Sequence, residues 1–452
     1  MTRYFIITFL FITTLVSAQK GTLSPYSFYG LGEPLFEGTI DQRSMGGLVA
    51  HVDSIHFNIS LPASLADLKL INYAVGANHS SRKFSSEDNS TNNVTAGIDY
   101  MSAAIPTKYF GFGFGLIPKT AVGYRLSVDD QVDGVNTNSN YEGSGGINQV
   151  FFSLGFSPTK NAGIGLAVHY NFGSISRFHT HQDEGIDLLS QLASESEIRG
   201  VELNLSSYYK IDLSNRLQMQ LHYAYQPSAD LESLNSRTIS TFTSLGESRD
   251  SQDVNLSNDG LDETISRLPS KQTFGGGIGE PKKWFIGGQW SSSEESIDNA
   301  FYSTGSVRYE PATKLSLGGY FIPEYDSFSS YWKRIVYRAG FVSSKTGMIL
   351  NDKAIVNTGI TFGVGLPVAG FSNLNIGIEF GKLGADGDAT LTHDGTTGLT
   401  IAATPISIDA TGELHLNSTP IDINQFRSSD KVLLVVRTLT VIILIVFTRI
   451  VW

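Results

Sequence analysis

The sequence has no cysteine among its 452 residues, so no disulfide can staple it even in an oxidising compartment. Charge is also scarce. Asp, Glu, Lys and Arg make up 17% of the chain, against about a quarter of an ordinary soluble domain, which argues against a cytoplasmic enzyme. A net charge of -11, with no basic cluster interleaved with aromatics, argues against a nucleic-acid partner. Between Gln19 and Asp430 no apolar stretch is long enough for a transmembrane helix. Taken alone, that suggests a soluble periplasmic or secreted protein. What is abundant is glycine (46), phenylalanine (27) and tyrosine (19).

The first residues, MTRYFIITFLFITTLVSAQK, read as a secretory signal: Arg3, an apolar run from Tyr4 to Val16, and small residues Val16 and Ala18 before the cut. Residues 1–18 are therefore expected to be a cleaved signal peptide.

The abundant residues are patterned. In YFGFGFGLIPKTAVGY, Phe110, Phe112 and Phe114 alternate with Gly111, Gly113 and Gly115. A period of two is the strand period, so one face is aromatic and the other has no side chains. The same alternation recurs at Ile164–Phe172, Leu217–Tyr225, Val356–Leu366 and Leu374–Phe380, with Gly, Asn, Gln, His and Thr on the second face. A soluble sandwich would carry Lys, Glu and Thr on its exposed face. Strands of about ten residues, apolar on one face and small or polar on the other, are the signature of a transmembrane β-barrel. The predicted fold class is therefore all-β, an antiparallel transmembrane barrel. Phe110, Phe112 and Phe114 face lipid, and the glycine face keeps the interior open or lets other segments pack closely. Tyr170 and Phe172, Tyr223 and Tyr225, and Tyr320 and Phe321 are candidates for interfacial girdles. Four polar stretches, 80–94, 128–146, 178–200 and 230–273, read as long loops, and 186–195 has helical spacing. GFSPTKNAGIG and DLSNRL read as short turns.

Residues 19–66 do not alternate, yet they hold too much Tyr, Phe and Leu for a disordered tail. A segment packed inside the barrel as a plug accounts for them. Within it, Ser44-Met45-Gly46-Gly47, Asp53 and Pro62-Ala63-Ser64-Leu65 resemble the mature N-terminus of the FadL-like outer-membrane proteins, transporters of long-chain fatty acids and aromatic hydrocarbons. Leu61 stands where that family has Asn. The resemblance implies about 14 strands, a plug or hatch carrying Gly46, Gly47, Asp53, Pro62 and Ala63, and hydrophobic ligands released laterally into the outer membrane of a Gram-negative bacterium. It places the barrel at residues 67–382. After Lys382 the texture changes. Residues 383–430 are rich in Thr, Asp and Gly, like phage tail-fibre repeats, and 431–452 form an apolar tail interrupted by Arg437 and Arg449. The tail can be read as a transmembrane helix, a closing strand, or a frameshift or chimera. The last is favoured, and with it a wall that does not close as the family's does.

Other chemistry is weakly signalled. Gly275–Gly279 lacks the helix of a phosphate loop. His179 and His181 with Asp183 or Glu184 have loose metal-ligand spacing and read as a solvated loop. His169 and His222 fall on inward faces without a paired nucleophile. The expectation is a monomeric, non-enzymatic channel without metal or cofactor, its partners being outer-membrane lipid and a hydrophobic ligand. The alternatives are a general porin and a barrel with a structural or protein-partner role.

Overall fold

In a computed structural model, the described residues are 22–85, 90–132, 134–297, 299–302, 307–368, 372–385 and 392–404. The expected signal peptide (residues 1–18), residues 405–430 and residues 431–452, expected as an apolar tail, lie outside them. In chain order the strands are β1 (Glu33–Pro34), β2 (Asn72–Ser85), β3 (Ser90–Pro106), β4 (Phe110–Val132), β5 (Val135–Thr159), β6 (Ala162–Asp183), β7 (Leu188–Asp212), β8 (Gln218–Gln226), β9 (Ala229–Thr243) and β10 (Ser248–Asp253). There follow β11 (Glu263–Leu268), β12 (Lys271–Glu280), β13 (Trp284–Ser293), β14 (Val307–Tyr309), β15 (Ala312–Phe321), β16 (Val336–Leu350), β17 (Lys353–Pro367), β18 (Asn373–Ala385) and β19 (Thr392–Thr404).

All wall pairings are antiparallel, and they return to their start, because β19 pairs with both β18 and β2. β8 and β9 both lie along β7, and β10, β11 and β12 lie in turn along β9 and β8. β14 and β15 share the partner β16. Counting each such set as one wall strand, and leaving out β1, the ring has fourteen. Pro227 and Pro269 sit at two of the breaks, where a residue without an N–H interrupts the ladder. The expected end of the wall at residue 382 is corrected: β18 runs to Ala385 and β19 supplies the strand that meets β2. The Thr-rich β19 lacks a clean apolar alternation, but backbone pairing to two neighbours needs none.

The alternation does what the sequence predicts. Phe110 and Phe114 are 41% and 48% exposed on the outer face, while Gly111 and Gly113 are buried. Outer rings pack across strands, with Phe110 against Phe156 at 5.2 Å and Tyr223 against Phe274 at 4.6 Å between centroids. Tyr170 and Phe172 also face out. Tyr320 does not: its neighbour Phe321 faces out, and the period of two turns Tyr320 inward onto His51.

The four polar stretches are mostly strand, contrary to expectation. β5 and β7 are 25 residues long, where a membrane crossing needs about ten. Both faces of the extra length meet water, so the sequence there does not alternate, and the ladder continues because each strand finds a neighbour. The helix expected at 186–195 is likewise overruled: Leu188–Gly200 pairs residue by residue with β9. The short turns fall as expected, after Thr159 and between Asp212 and Gln218.

Candidate functional site

Residues 22–68 touch the inner face of strands around the whole ring and form the plug. Its structure is slight: short 3-10 turns at Pro25–Phe28 and Pro62–Asp67 and one helical turn at Ile40–Arg43. The Thr39 N–H donates to Gln42 Oε1 at 3.0 Å at the start of that turn, one of the two bonds of an S/T-x-x-E/Q capping box. With so few internal backbone bonds, the plug depends on the wall.

The wall accommodates it in three ways. First, glycines face it. A Cβ on Gly111 would collide with the Leu65 carbonyl, one on Gly165 with Ala63, and one on Gly318 with Met45. The glycine rows are therefore the bed on which the plug backbone lies. Second, inward polar side chains take the plug's N–H groups. Val49 donates to Gln289 Oε1 at 3.0 Å, Val52 to Gln220 Oε1 at 2.8 Å, Ala63 to Ser206 Oγ at 2.9 Å and Gly46 to Thr361 Oγ1 at 2.9 Å. A buried backbone donor without such a partner would cost about 1–3 kcal/mol. Third, ion pairs span plug and wall. Arg43 donates to Glu379 at 2.9 Å and lies 3.5 Å from Asp99. Lys119 donates to Glu202 at 2.6 Å and lies 3.5 Å from Glu37. Arg82 grips both oxygens of Glu33, at 2.6 and 2.8 Å, and Lys210 pairs with Asp67. Burial alone would raise the Glu37 pKa, but the charges of Lys119, Lys271 and His169, with the Lys119 hydrogen bond, together outweigh it and hold the group at about 2.

The sequence-picked positions divide. Gly46 and Gly47 adopt φ of +71° and +80°, a region that favours glycine, and a Cβ on Gly46 would press on the Phe341 carbonyl. Asp53 organises a turn: Oδ1 accepts from the Ile55 and His56 N–H groups at 2.8 and 2.6 Å, and Oδ2 lies 2.6 Å from His56 Nδ1. Burial lowers the His56 pKa, but the Asp53 charge and hydrogen bond outweigh it and the net shift is upward. Burial dominates at His51 and pushes it down to about 4. Pro62 opens a 3-10 turn and Ala63 is buried on the wall. These five residues are plug architecture; they do not converge on one ligand position. Sequence reasoning missed Glu33, Glu37, Arg43, Arg82 and Lys119. For Lys119 in β4 the available signal was charge at an inward position of an otherwise apolar strand; Glu33, Glu37 and Arg43 lie on the plug, where no strand period marks a facing direction.

His169 and His222 are buried inside the wall, as expected of the inward face. His181 contacts Ser139 and Asp183, and His179 stacks on Tyr141 at 4.3 Å. No group of three or more potential metal ligands gathers among the described residues.

Two further features concern passage. Beyond the membrane-level glycines the inner face turns apolar: Val122, Tyr124, Ile147, Ile175, Ile198 and Leu231 form one buried cluster, and Phe28 and Leu31 of the plug pack on it. The wall is also split. β3 pairs with β2 from Ser90 to Ala104, but with β4 only from Met101 to Pro106. Beyond Leu116 the two strands part at Pro118, which has no N–H to give, and a register shift follows it. The plug fills the gap: β1 pairs with Thr120 and Ala121, and the Leu35 N–H donates to the Lys119 carbonyl at 2.9 Å.

A family model, BamG, matches residues 1–394. The chain belongs to the BamG family. This BamG-family barrel is also similar to solved outer-membrane channels. The Pseudomonas putida toluene transporter TodX is 14% identical, with a TM-score of 0.53 over 82% of this chain and 98% of that one. A deltaS2 mutant of the TodX monoaromatic hydrocarbon channel is 15% identical, with a TM-score of 0.52 over 84% and 99%. At such identity the likeness concerns the fold, the plugged barrel expected from the FadL-like resemblance. No curated protein sequence matches the chain.

Proposed function

We propose that this BamG-family protein is an outer-membrane channel for passive uptake of hydrophobic small molecules, released sideways into the membrane between β3 and β4. The observation that carries the reading is the split, where the edge of β4 meets the plug instead of β3: β1 pairs with Thr120 and Ala121, and Ser27 Oγ accepts from the Gly123 N–H at 3.1 Å. A membrane-spanning wall has every reason to complete its ladder, since unpaired backbone in hydrocarbon costs several kcal/mol. A gap filled by a detachable strand is the arrangement that permits lateral exit. The apolar cluster around Ile147 and Ile175 gives an oily ligand somewhere to rest once Phe28 and Leu31 withdraw. The toluene and monoaromatic hydrocarbon transport named for the similar structures agrees with this class of ligand.

The test loosens β1. Glu33→Gln removes the charge that Arg82 holds, and Phe28→Ala empties the cluster. Uptake of an apolar dye by proteoliposomes should rise in both variants, while a hydrophilic sugar of similar size should not enter. Equal entry of both solutes would favour the general porin. No change in either, with the plug shown to be loosened, would leave the protein-partner role as the better reading.

A further inference from the structure

The short-turn end of the barrel carries one loop unlike the others. Residues 322–335 join β15 to β16 where the neighbouring turns have two to five residues. The loop is folded. The Ile322 N–H donates to the Lys283 carbonyl at 2.6 Å, the Glu324 N–H to the Lys333 carbonyl at 2.8 Å, and Lys333 Nζ meets Glu324 at 2.9 Å. Ile322 and Ile335 at its ends are buried, yet two large rings point outward: Phe328 is fully exposed and Trp332 is 71% exposed. A folded loop that shows water such side chains has a covering surface elsewhere.

Its position and charge say which. Trp284, Phe321 and Tyr337 are cross-strand neighbours on the outer face at this end, and the Tyr337 hydroxyl donates to the Trp332 carbonyl at 3.3 Å. The loop thus continues the aromatic girdle of the wall. Lys282 lies over the Tyr325 ring at 5.0 Å and Arg334 over the Tyr331 ring at 5.5 Å. Lys282 holds φ at 64°, a turn position that favours glycine or asparagine, yet a lysine occupies it. The turns of this rim, with the loop, carry Lys or Arg at 108, 160, 216, 282, 283, 333 and 334, against Asp or Glu at 212, 280, 324 and 326, in a chain of net charge -11. The hairpin tips at the other end are acidic, with Asp129, Asp130, Asp183 and Glu184 together. Short turns mark the periplasmic end of such barrels.

We propose that residues 322–335 are a membrane anchor, seating Phe328 and Trp332 at the interface of the periplasmic-side leaflet while Lys282 and Arg334 meet anionic phospholipid headgroups. Basic residues beside an anionic surface add attraction, and aromatic rings settle at headgroup depth. The anchor is independent of whether the barrel conducts.

The chain has no cysteine, so Phe328→Cys in the full-length protein accepts a single environment-sensitive fluorophore. In vesicles of phosphatidylcholine with phosphatidylglycerol, the label should be shielded from iodide and quenched by spin-labelled lipid. In phosphatidylcholine alone the iodide quenching constant should be roughly threefold higher. Adding Lys282→Gln and Arg334→Gln should remove that difference while the barrel stays folded on a heat-modifiability gel. A label equally open to iodide in both vesicles, or equally shielded in both, overturns the proposal. A label open in vesicles but shielded in native envelopes overturns it in favour of a protein partner.

Discussion

Replacing Gly165 by alanine adds one methyl group, and the structure gives it nowhere to go. The new Cβ would fall on the backbone of Pro62 and Ala63, and backbone cannot swing aside as a side-chain tip can. Overpacking of this kind costs about 1–3 kcal/mol. If the plug retreats to relieve it, the Ala63 N–H moves off Ser206 Oγ, now at 2.9 Å, at a further cost of about 1 kcal/mol. The plug is then weakened by about 2–4 kcal/mol, which raises the displaced population roughly 30-fold to several hundred-fold. Ser64, buried on the plug, reports on this as Ser64→Cys in the cysteine-free background. When reclosing is fast, its maleimide labelling rate tracks the displaced population. Gly97→Ala is the control, since a Cβ there meets nothing within 4 Å. Should Gly165→Ala and Gly97→Ala label at the same rate in equally folded barrels, the glycine rows are not the bed of the plug.

Four further outcomes are expected. Arg43→Met leaves Asp99 and Glu379 facing each other without their cation and should destabilise plug docking by about 3–5 kcal/mol, with Glu379→Gln recovering part of the loss in a double-mutant cycle. His51 and His56 should give opposite pH slopes in the Ser64→Cys assay. The raised His56 pKa stabilises docking below about pH 6.5 and is lost as pH rises through the folded value. The lowered His51 pKa, about 4, makes docking weaken as pH falls below the ordinary histidine value. His56→Gln should remove the first slope and His51→Gln the second. Phe114→Arg, on the lipid face, should cut the yield of folded barrel by a cost of about 2–4 kcal/mol, read by urea titration in detergent-free vesicles. Truncation after Ala385 removes β19 and should stop β18 from reaching β2, so that heat-modifiable barrel is lost; a truncated chain that inserts normally would restore the boundary at residue 382.

The sequence by itself determined the wall. Phe110, Phe112 and Phe114 opposite Gly111, Gly113 and Gly115 fix which face meets lipid, because a strand's side chains can only alternate and lipid admits no charge. It also marked the plug, since Tyr26, Phe57, Leu61 and Leu65 need burial and follow no strand period. The Gly46-Gly47 pair was visible because tight bends are a local demand on the backbone, whereas Asp53 was marked only by the FadL-like resemblance, and its Asx turn with Ile55 and His56 appears in the structure. Tertiary structure alone decided the rest. Whether 188–200 is helix or strand was settled by β9 lying alongside. That Thr392–Thr404 belongs to the wall was settled by its two neighbours, because backbone pairing is indifferent to side-chain pattern. The ion pairs of Arg43 with Glu379 and of Lys119 with Glu202 join residues 336 and 83 apart in sequence, and no periodicity reports a contact made across a lumen. The split at Pro118 is also tertiary: the proline is legible, but its meaning depends on β3 leaving β4 there and β1 taking its place.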